Sequence, residues 1–435
     1  RQRQMCIRDR DGIVYGAISQ YGKPQNNYLV GGFSHLAQYE HWCIGHVNSK
    51  GEVTRWSSSD FGTDYGVKTS VFEEDVPPYI NSISAFEDGR MLVSGMFSAF
   101  EVYNPKNGGL YDLADRVYVN NIMVLRSNAH PDTTQQYIFE DAGTESNGTP
   151  IRYSFSKLNG GSLQPIVRSF VTSAQKIVAV GNLTQYVCNE YASSYVDSKQ
   201  RISSVASAFR MDDCGVLDST YRLVDRTGRY SGAGGGNITD ACMDKDDGVV
   251  LVGSFTSFDG VPAPGMVRLD ADGNVDHAFL ENLGTGPDGN VTMVRYNKAL
   301  NKMMVVGGFE HVNGQPRQQM AMLNPDGTLD GTFVPREIGG GAVNFAQLID
   351  KEKVIVSGTF STYGGVPRLG FIILEMDGTA QQKFNVPGTF NGQLYHVAET
   401  ETTLGSYGLL LMGSFDRFNG QKANNVLMLE VNLEH

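Results

Sequence analysis

The chain has 435 residues, 40% of them hydrophobic, with a formal charge of −12 and 51 Gly, 22 Phe and 20 Tyr. That is enough apolar material for a core, and no apolar run reaches the ~18 residues of a membrane-spanning helix. The acidic balance, with no cluster of Lys and Arg to displace counterions, argues against a nucleic-acid partner.

The first ten residues, RQRQMCIRDR, carry neither an initiator Met nor an apolar stretch. Residues 1–10 are read as foreign to the fold or disordered, and residues 11–435 as one domain. From there a signature recurs in which a short apolar run ends in Gly-x-Phe. Its first glycine is Gly31 in YLVGGFS, Gly95 in MLVSGMFS, Gly181 in IVAVGNLT and Gly253 in VLVGSFT, then Gly307 in MVVGGFE, Gly358 in VIVSGTFS and Gly413 in LLMGSFD. The third copy has Leu183 in place of Phe. Such self-similarity is the mark of a repeat architecture.

Copies four to six agree best. LVGSFTSFDGVPAPGMVRLDADGNVDHAF (251–279) and VVGGFEHVNGQPRQQMAMLNPDGTLDGTF (305–333) match at 11 positions without a gap. Each copy reads as four strands. In the sixth, AVNFAQLID (342–350) is strand a and KVIVSGTFS (353–361) is strand b. FIILEM (371–376) is strand c, Asp377-Gly378 a tight turn, and AQQKF (380–384) strand d. A glycine inside strand b marks a bend or the close approach of another backbone. The Phe two residues later packs between sheets, and the closing Phe279, Phe333 and Phe384 do the same from strand d.

Four-stranded units without sustained helical periodicity predict an all-β fold, a β-propeller of seven blades, each of four antiparallel strands. The last copy ends after strand c. Its outer strand is expected from the segment upstream of Ile13, and the parent protein is expected to extend N-terminally.

The set VGSFTSFDGVP…VRLDADGNVDHAF resembles the delta-60 repeat family, a bacterial β-propeller domain of unknown function. The resemblance is close in copies four to six and loose in copies one to three. It implies the propeller fold and placement at the cell surface or outside the cell. It implies no catalytic mechanism.

Candidate chemistry is sparse. SGAGGGN (231–237) has the look of a phosphate loop but is followed by a strand pattern rather than a helix. DADGNVD (270–276) echoes a calcium loop but lacks its distal Glu, so it reads as a turn. His35, His41, Cys43 and His46 cluster in HLAQYEHWCIGH, with His41 and Cys43 on one strand face, yet at no metal-site spacing. The five cysteines, Cys6, Cys43, Cys188, Cys214 and Cys242, form neither a disulfide framework nor a zinc ribbon, and separate thiols are expected. No catalytic residue, metal or cofactor is assigned.

The functional signal is an asymmetry. Copies four to six join strands b and c by short uniform loops, whereas copies one to three carry longer or unlike sequence there, with aromatic residues. These carry Tyr39 and Trp42, Tyr103 and Tyr111, and Tyr191 and Tyr195. Aromatic side chains on loops held by a rigid scaffold suit glycan or protein ligands. The expectation is a non-enzymatic binding module with its ligand on the loop face of copies one to three. The alternatives are a glycoside-hydrolase-like enzyme with a central acid pair, and a structural part such as a phage-tail or surface-scaffold component.

Overall fold

The computed structural model describes residues 5–6, 12–36, 39–48, 52–53, 65–68, 77–102, 116–138, 151–191, 199–224, 228–382, 390–401 and 406–430. Among these, one segment is α-helical, His277–Leu283, and the rest is strand and turn. No helix is long and apolar enough to cross a membrane.

Seven antiparallel meanders, each with strands a, b and c, follow one another through the described residues. They are numbered here as sheets 1 to 7. Their a strands are Ile13–Gln20, Tyr79–Ala85, Arg168–Val171, Ile238–Met243, Val291–Asn297, Val343–Ile349 and Phe390–Glu401. Each a strand packs against the a strand of the next sheet, and the last packs against the first, which closes a circle around a central channel. This is a β-propeller.

The apolar runs that end in the marker glycine form strand b in each sheet, for example Lys302–Gly307 in sheet 5 and Lys353–Gly358 in sheet 6. These strands are covered on both faces, and their β-branched residues are fully buried. The Phe of each signature fills the space between neighbouring sheets. Phe33, Phe97, Phe255, Phe309, Phe360 and Phe415, with Leu183 in the third copy, are all at most 3% exposed. Each such side chain contributes about 1.5–3 kcal/mol by burial, so the signature is a core-forming device repeated around the ring.

The fourth strand is much reduced. Among the described residues, strand c of sheets 1 to 6 turns back for one bridge, as at Leu269↔Val275, Leu323↔Leu329 and Leu374↔Ala380. Of the expected strand over 380–384, Ala380 makes a bridge, Gln381 and Gln382 are not in strand, and 383–384 lie outside the described residues. The turns close through aspartate: Asp377 Oδ1 accepts from the Thr379 backbone N–H at 2.8 Å, and Asp326 Oδ1 from that of Thr328 at 3.0 Å. Phe279 is buried, but from the helix rather than from a strand. Asp276 caps that helix by accepting from the Phe279 N–H at 3.1 Å, a local signal that overrides the strand pattern. Phe333 is buried outside any regular strand, and Phe384 lies outside the described residues. In sheet 7, Met5–Cys6 pairs antiparallel with Val426–Glu430, Met5 opposite Met428 and Cys6 opposite Leu427.

Candidate functional site

The marker glycines shape the channel. A Cβ on Gly95, Gly253, Gly307, Gly358 or Gly413 would lie 2.0–2.1 Å from the carbonyl oxygen that precedes its partner in strand a, and one on Gly31 would lie 2.0 Å from Ile13 O. Only glycine permits that approach. Opposite each of these six glycines strand a carries a β-bulge. Ile80 pairs with Gly95 and Ser82 with Ser94, so Asn81 is the extra residue. The same shift leaves Tyr15, Thr239, Thr292, Asn344 and Tyr395 unpaired in sheets 1, 4, 5, 6 and 7. Bulges re-aim side chains, and all six bulged residues line the same cavity of about 270 Å³ in the channel.

Sheet 3 is the exception. Its strands pair without a shift, and a Cβ on Gly181 would meet Val167 N at 3.1 Å rather than a carbonyl. The copy that departs from the signature in sequence is the one that lacks the bulge. It contributes Arg168 instead.

Arg168 is part of a charged belt across the throat. Its Nε donates to Asp240 Oδ1 at 2.8 Å, and its Nη1 donates to Asn81 O of sheet 2. Arg295 of sheet 5 donates from Nη1 to Asp240 Oδ2, and from Nη2 to Tyr395 O of sheet 7 at 3.2 Å. The Val294 N–H also donates to Asp240 Oδ2, at 3.2 Å. Five sheets are thus tied together through three side chains. Burial raises the Asp240 carboxyl, but Arg168 and Arg295 outweigh it and hold the group below the usual carboxylate range. With two guanidiniums against one carboxylate, the belt carries one net positive charge. His396, close by, is lowered to about 3 by burial and by Arg295 and Arg168, and is neutral at pH 7.

The belt separates the cavity at the bulges from a second of about 280 Å³, which Ser82, Ser84, Cys242, Tyr296 and His396 help to line. Tyr15 meets Tyr395 edge-on at 5.2 Å and Tyr79 at 6.1 Å. Burial, followed by the other two phenols, raises the Tyr15 hydroxyl above its ordinary range.

The other candidate region is the face from which the long connections rise. Connections entering strand a pair there with those leaving strand b, as Tyr65–Lys68 with Ala99–Val102 and Ala233–Gly234 with Ser257–Phe258. In sheets 2 and 3 they extend into ribbons: Ala99–Val102 with Arg116–Tyr118, Thr133–Ile138 with Ile151–Ser156, and Gln185–Glu190 with Lys199–Ser204. Tyr118, Tyr153, Phe155 and Tyr191 pack together and join the ribbons. Tyr191 packs against Phe155 at 4.5 Å and accepts from Asn189 Nδ2 at 3.0 Å. Burial pushes its hydroxyl up to about 12. Tyr137 and Ile202 remain 66% and 49% exposed on the ribbons.

Of the six aromatic residues read from the sequence, Trp42 is half-buried and Tyr191 is half-buried within the aromatic cluster. Tyr39 opens a two-residue strand paired with His35–Leu36. Tyr103, Tyr111 and Tyr195 lie outside the described residues. The histidine–cysteine cluster does not share a strand face: Cys43 has a left-handed backbone, φ 66°, and its thiol points to Pro78 O at 3.2 Å. His46 lies in strand c, 3.1 Å from Gln20 Oε1. Asp270 is committed to its turn, with Oδ1 accepting from the Asp272 and Asn274 N–H groups at 3.0 and 2.8 Å. The glycine run at 231–237 feeds a strand, as expected, and two of its N–H groups, from Ser231 and Gly232, bind Asp259. Cys188, Cys214 and Cys242 are free thiols.

Sequence reasoning did not find the belt. The available signal was positional: Arg168, Asp240 and His396 each pair with the residue that precedes the marker glycine in strand b, and Arg295 pairs two residues further from it, with Met304.

A family model described as a domain of unknown function (DUF5122) beta-propeller matches residues 245–279 and 301–333, the copies in which the signature is clearest. A second, described as a domain of unknown function (DUF5124), matches residues 3–79. No curated protein matches the sequence. Among solved structures, the chain is similar to the WD40 beta propeller domain of Doa1, at 9% identity and a TM-score of 0.46, over 98% of this chain and 96% of that one. It is also similar to YCF48 bound to D1 peptide, at 10% identity and a TM-score of 0.46, over 99% and 95%. Closed meanders and a β-propeller family match on the clearest copies together make this chain a β-propeller repeat protein.

Proposed function

We propose that the chain is a non-catalytic binding module, a seven-bladed propeller of the delta-60 type at a bacterial surface or secreted, that holds a glycan or protein ligand on the face bearing the connections of sheets 1 to 3. One observation carries this reading. The ribbons of sheets 2 and 3 are pinned by Tyr118, Tyr153, Phe155 and Tyr191 into a packed platform, whereas sheets 4 to 6 carry two-residue hairpins such as Ser257–Phe258 with Val261–Pro262. Ordering extended loops costs conformational entropy, and a ligand surface is a reason to order them.

A hydrolytic reading needs two carboxylates across a sugar-sized gap. Asp240 is the one carboxylate among the described residues lining the two channel cavities, and both its oxygens are engaged by arginine. That favours binding over turnover.

The test is a glycan array probed with the labelled chain, followed by titration of any hit against the Trp42→Ala, Tyr111→Ala, Tyr195→Ala triple variant. A tenfold or greater loss in a folded variant is expected. Unchanged affinity removes this arc as the site. A silent array, with a stoichiometric complex formed by a defined protein partner, moves the assignment to an assembly role.

A further inference from the structure

We infer that the channel throat is a binding site for a hydroxylated carboxylate, a sugar acid of uronic type, whose carboxylate lies against Arg168 and Arg295 and whose hydroxyls reach Asn81 and the tyrosines. This deepens the reading of the chain as a binding module and rests on it.

Charge is the first argument. In a chain of net charge −12, the belt concentrates two guanidiniums on one carboxylate. Asp240 leaves part of each arginine unused: Arg168 Nη2 and Arg295 Nε have no protein partner among the described residues, and the two side chains stay 20% and 16% exposed. Both arginines line both cavities. A planar guanidinium matches a carboxylate, and one surplus positive charge matches a monoanion better than a doubly charged phosphate. His396, neutral beside the arginines, adds no charge of its own.

The second argument is an unmet acceptor. Asn81 donates from Nδ2 to Ile166 O at 3.1 Å, but its Oδ1 is buried without a donor while the residue lines both cavities. A buried acceptor left unmet costs about 1–3 kcal/mol. A ligand hydroxyl would satisfy it.

The third is shape. Tyr15, Tyr79 and Tyr395 bring three phenols together, and none has a hydrogen-bond partner among the described residues. Flat apolar rings with polar tips suit a sugar ring. Cavities of about 270 and 280 Å³ lie just under the range of typical ligand pockets, roughly 300–1,000 Å³. They have room for one monosaccharide-sized group rather than an extended chain.

The experiment is calorimetric titration of the whole chain with glucuronate and galacturonate, against methyl glucoside, inorganic phosphate and an N-acetyl dipeptide. Saturable one-to-one binding of a uronate, absent for methyl glucoside, is expected. Arg295→Gln should weaken it by roughly tenfold or more. Should that variant fail to fold, Tyr15→Phe with Tyr395→Phe breaks no hydrogen bond among the described residues and should still weaken uronate binding several-fold. A uronic trisaccharide that binds more tightly than the monosaccharide identifies an oligosaccharide end as the source; equal affinity identifies the free sugar acid. The inference is overturned by no saturable uronate binding, by equal binding of methyl glucoside, by tighter binding of phosphate or dipeptide, or by unchanged affinity in the folded variants. Array binding that depends on Trp42 while the throat stays silent overturns this inference alone. Throat binding with an array hit indifferent to the triple variant overturns the face assignment alone.

Discussion

Gly307 and Gly308 are adjacent, yet alanine should affect them very differently. A Cβ on Gly307 would lie 2.1 Å from Asn290 O and 2.9 Å from Val291 Cα, both backbone atoms that cannot rotate away. That is about 0.9 Å inside the 3.0 Å that such contacts essentially never breach. Relief requires the edge of strand a to move, which strains the Gly308 N–H bond to Asn290 O at 2.9 Å and the Thr292 hydroxyl bond to Val306 O at 3.2 Å. Overpacking of this kind costs about 1–3 kcal/mol, and rigid backbone places it near the upper end. Unfolding entropy of about 2.1 cal/mol/K per residue, taken over the whole chain, converts about 3 kcal/mol into a fall in Tm of about 3 °C. Gly308 is exposed, and a Cβ there meets nothing within 4 Å, so Gly308→Ala should stay within about 0.5 kcal/mol of the parent. Calorimetric melts of the two variants side by side decide the matter. Equal Tm values would refute the idea that the repeated glycine is required by close approach of strand a.

Other outcomes follow from the same geometry. Arg222 is fully buried and grips Asp259 through two bonds of 2.9 Å, while the Ser231 and Gly232 N–H groups bind the same carboxylate. Asp259→Ala should therefore cost about 3–5 kcal/mol in chemical denaturation, because it strands a buried charge. His46 is lowered to about 4, by burial and then by Lys23, and His41 likewise to about 4, by burial and then by His35. Between pH 6.5 and 4 the unfolded chain binds more protons at these two sites, so their contribution to stability is full above 6.5, declines as pH falls and is lost by about 4, with His396, lowered to about 3, extending the decline. Tm measured across that window should show the decline, and His46→Gln should make it shallower. In native thiol labelling followed by mass spectrometry, exposed Cys214 should react before buried Cys242, whose thiol is raised by burial and then by Asp240. The reverse order would contradict the packing described for sheet 4.

The fold was legible because it rests on a device repeated in the sequence. A glycine that meets a neighbouring backbone and a Phe two residues later that fills the gap between sheets recur in six of the seven copies, and strand b of sheet 6 falls at Lys353–Gly358 within the expected 353–361. The bulges were not legible, since a one-residue insertion in strand a leaves no residue type of its own: Tyr15, Asn81, Thr239 and Tyr395 share only a position. The belt was hidden for a related reason. Arg168, Asp240 and Arg295 are far apart in the chain, and ring closure alone brings them together. Local chemistry misled twice, where Asp276 capped a helix under Phe279 and where Cys43 took a left-handed backbone that broke the expected alternation with His41.

The most direct measurement is a crystal structure of the chain soaked with galacturonate. A closed ring is expected, with the sugar carboxylate about 3 Å from the guanidiniums of Arg168 and Arg295 and a sugar hydroxyl donating to Asn81 Oδ1. A throat free of sugar at saturating ligand, with the ligand bound elsewhere or not at all, would contradict it.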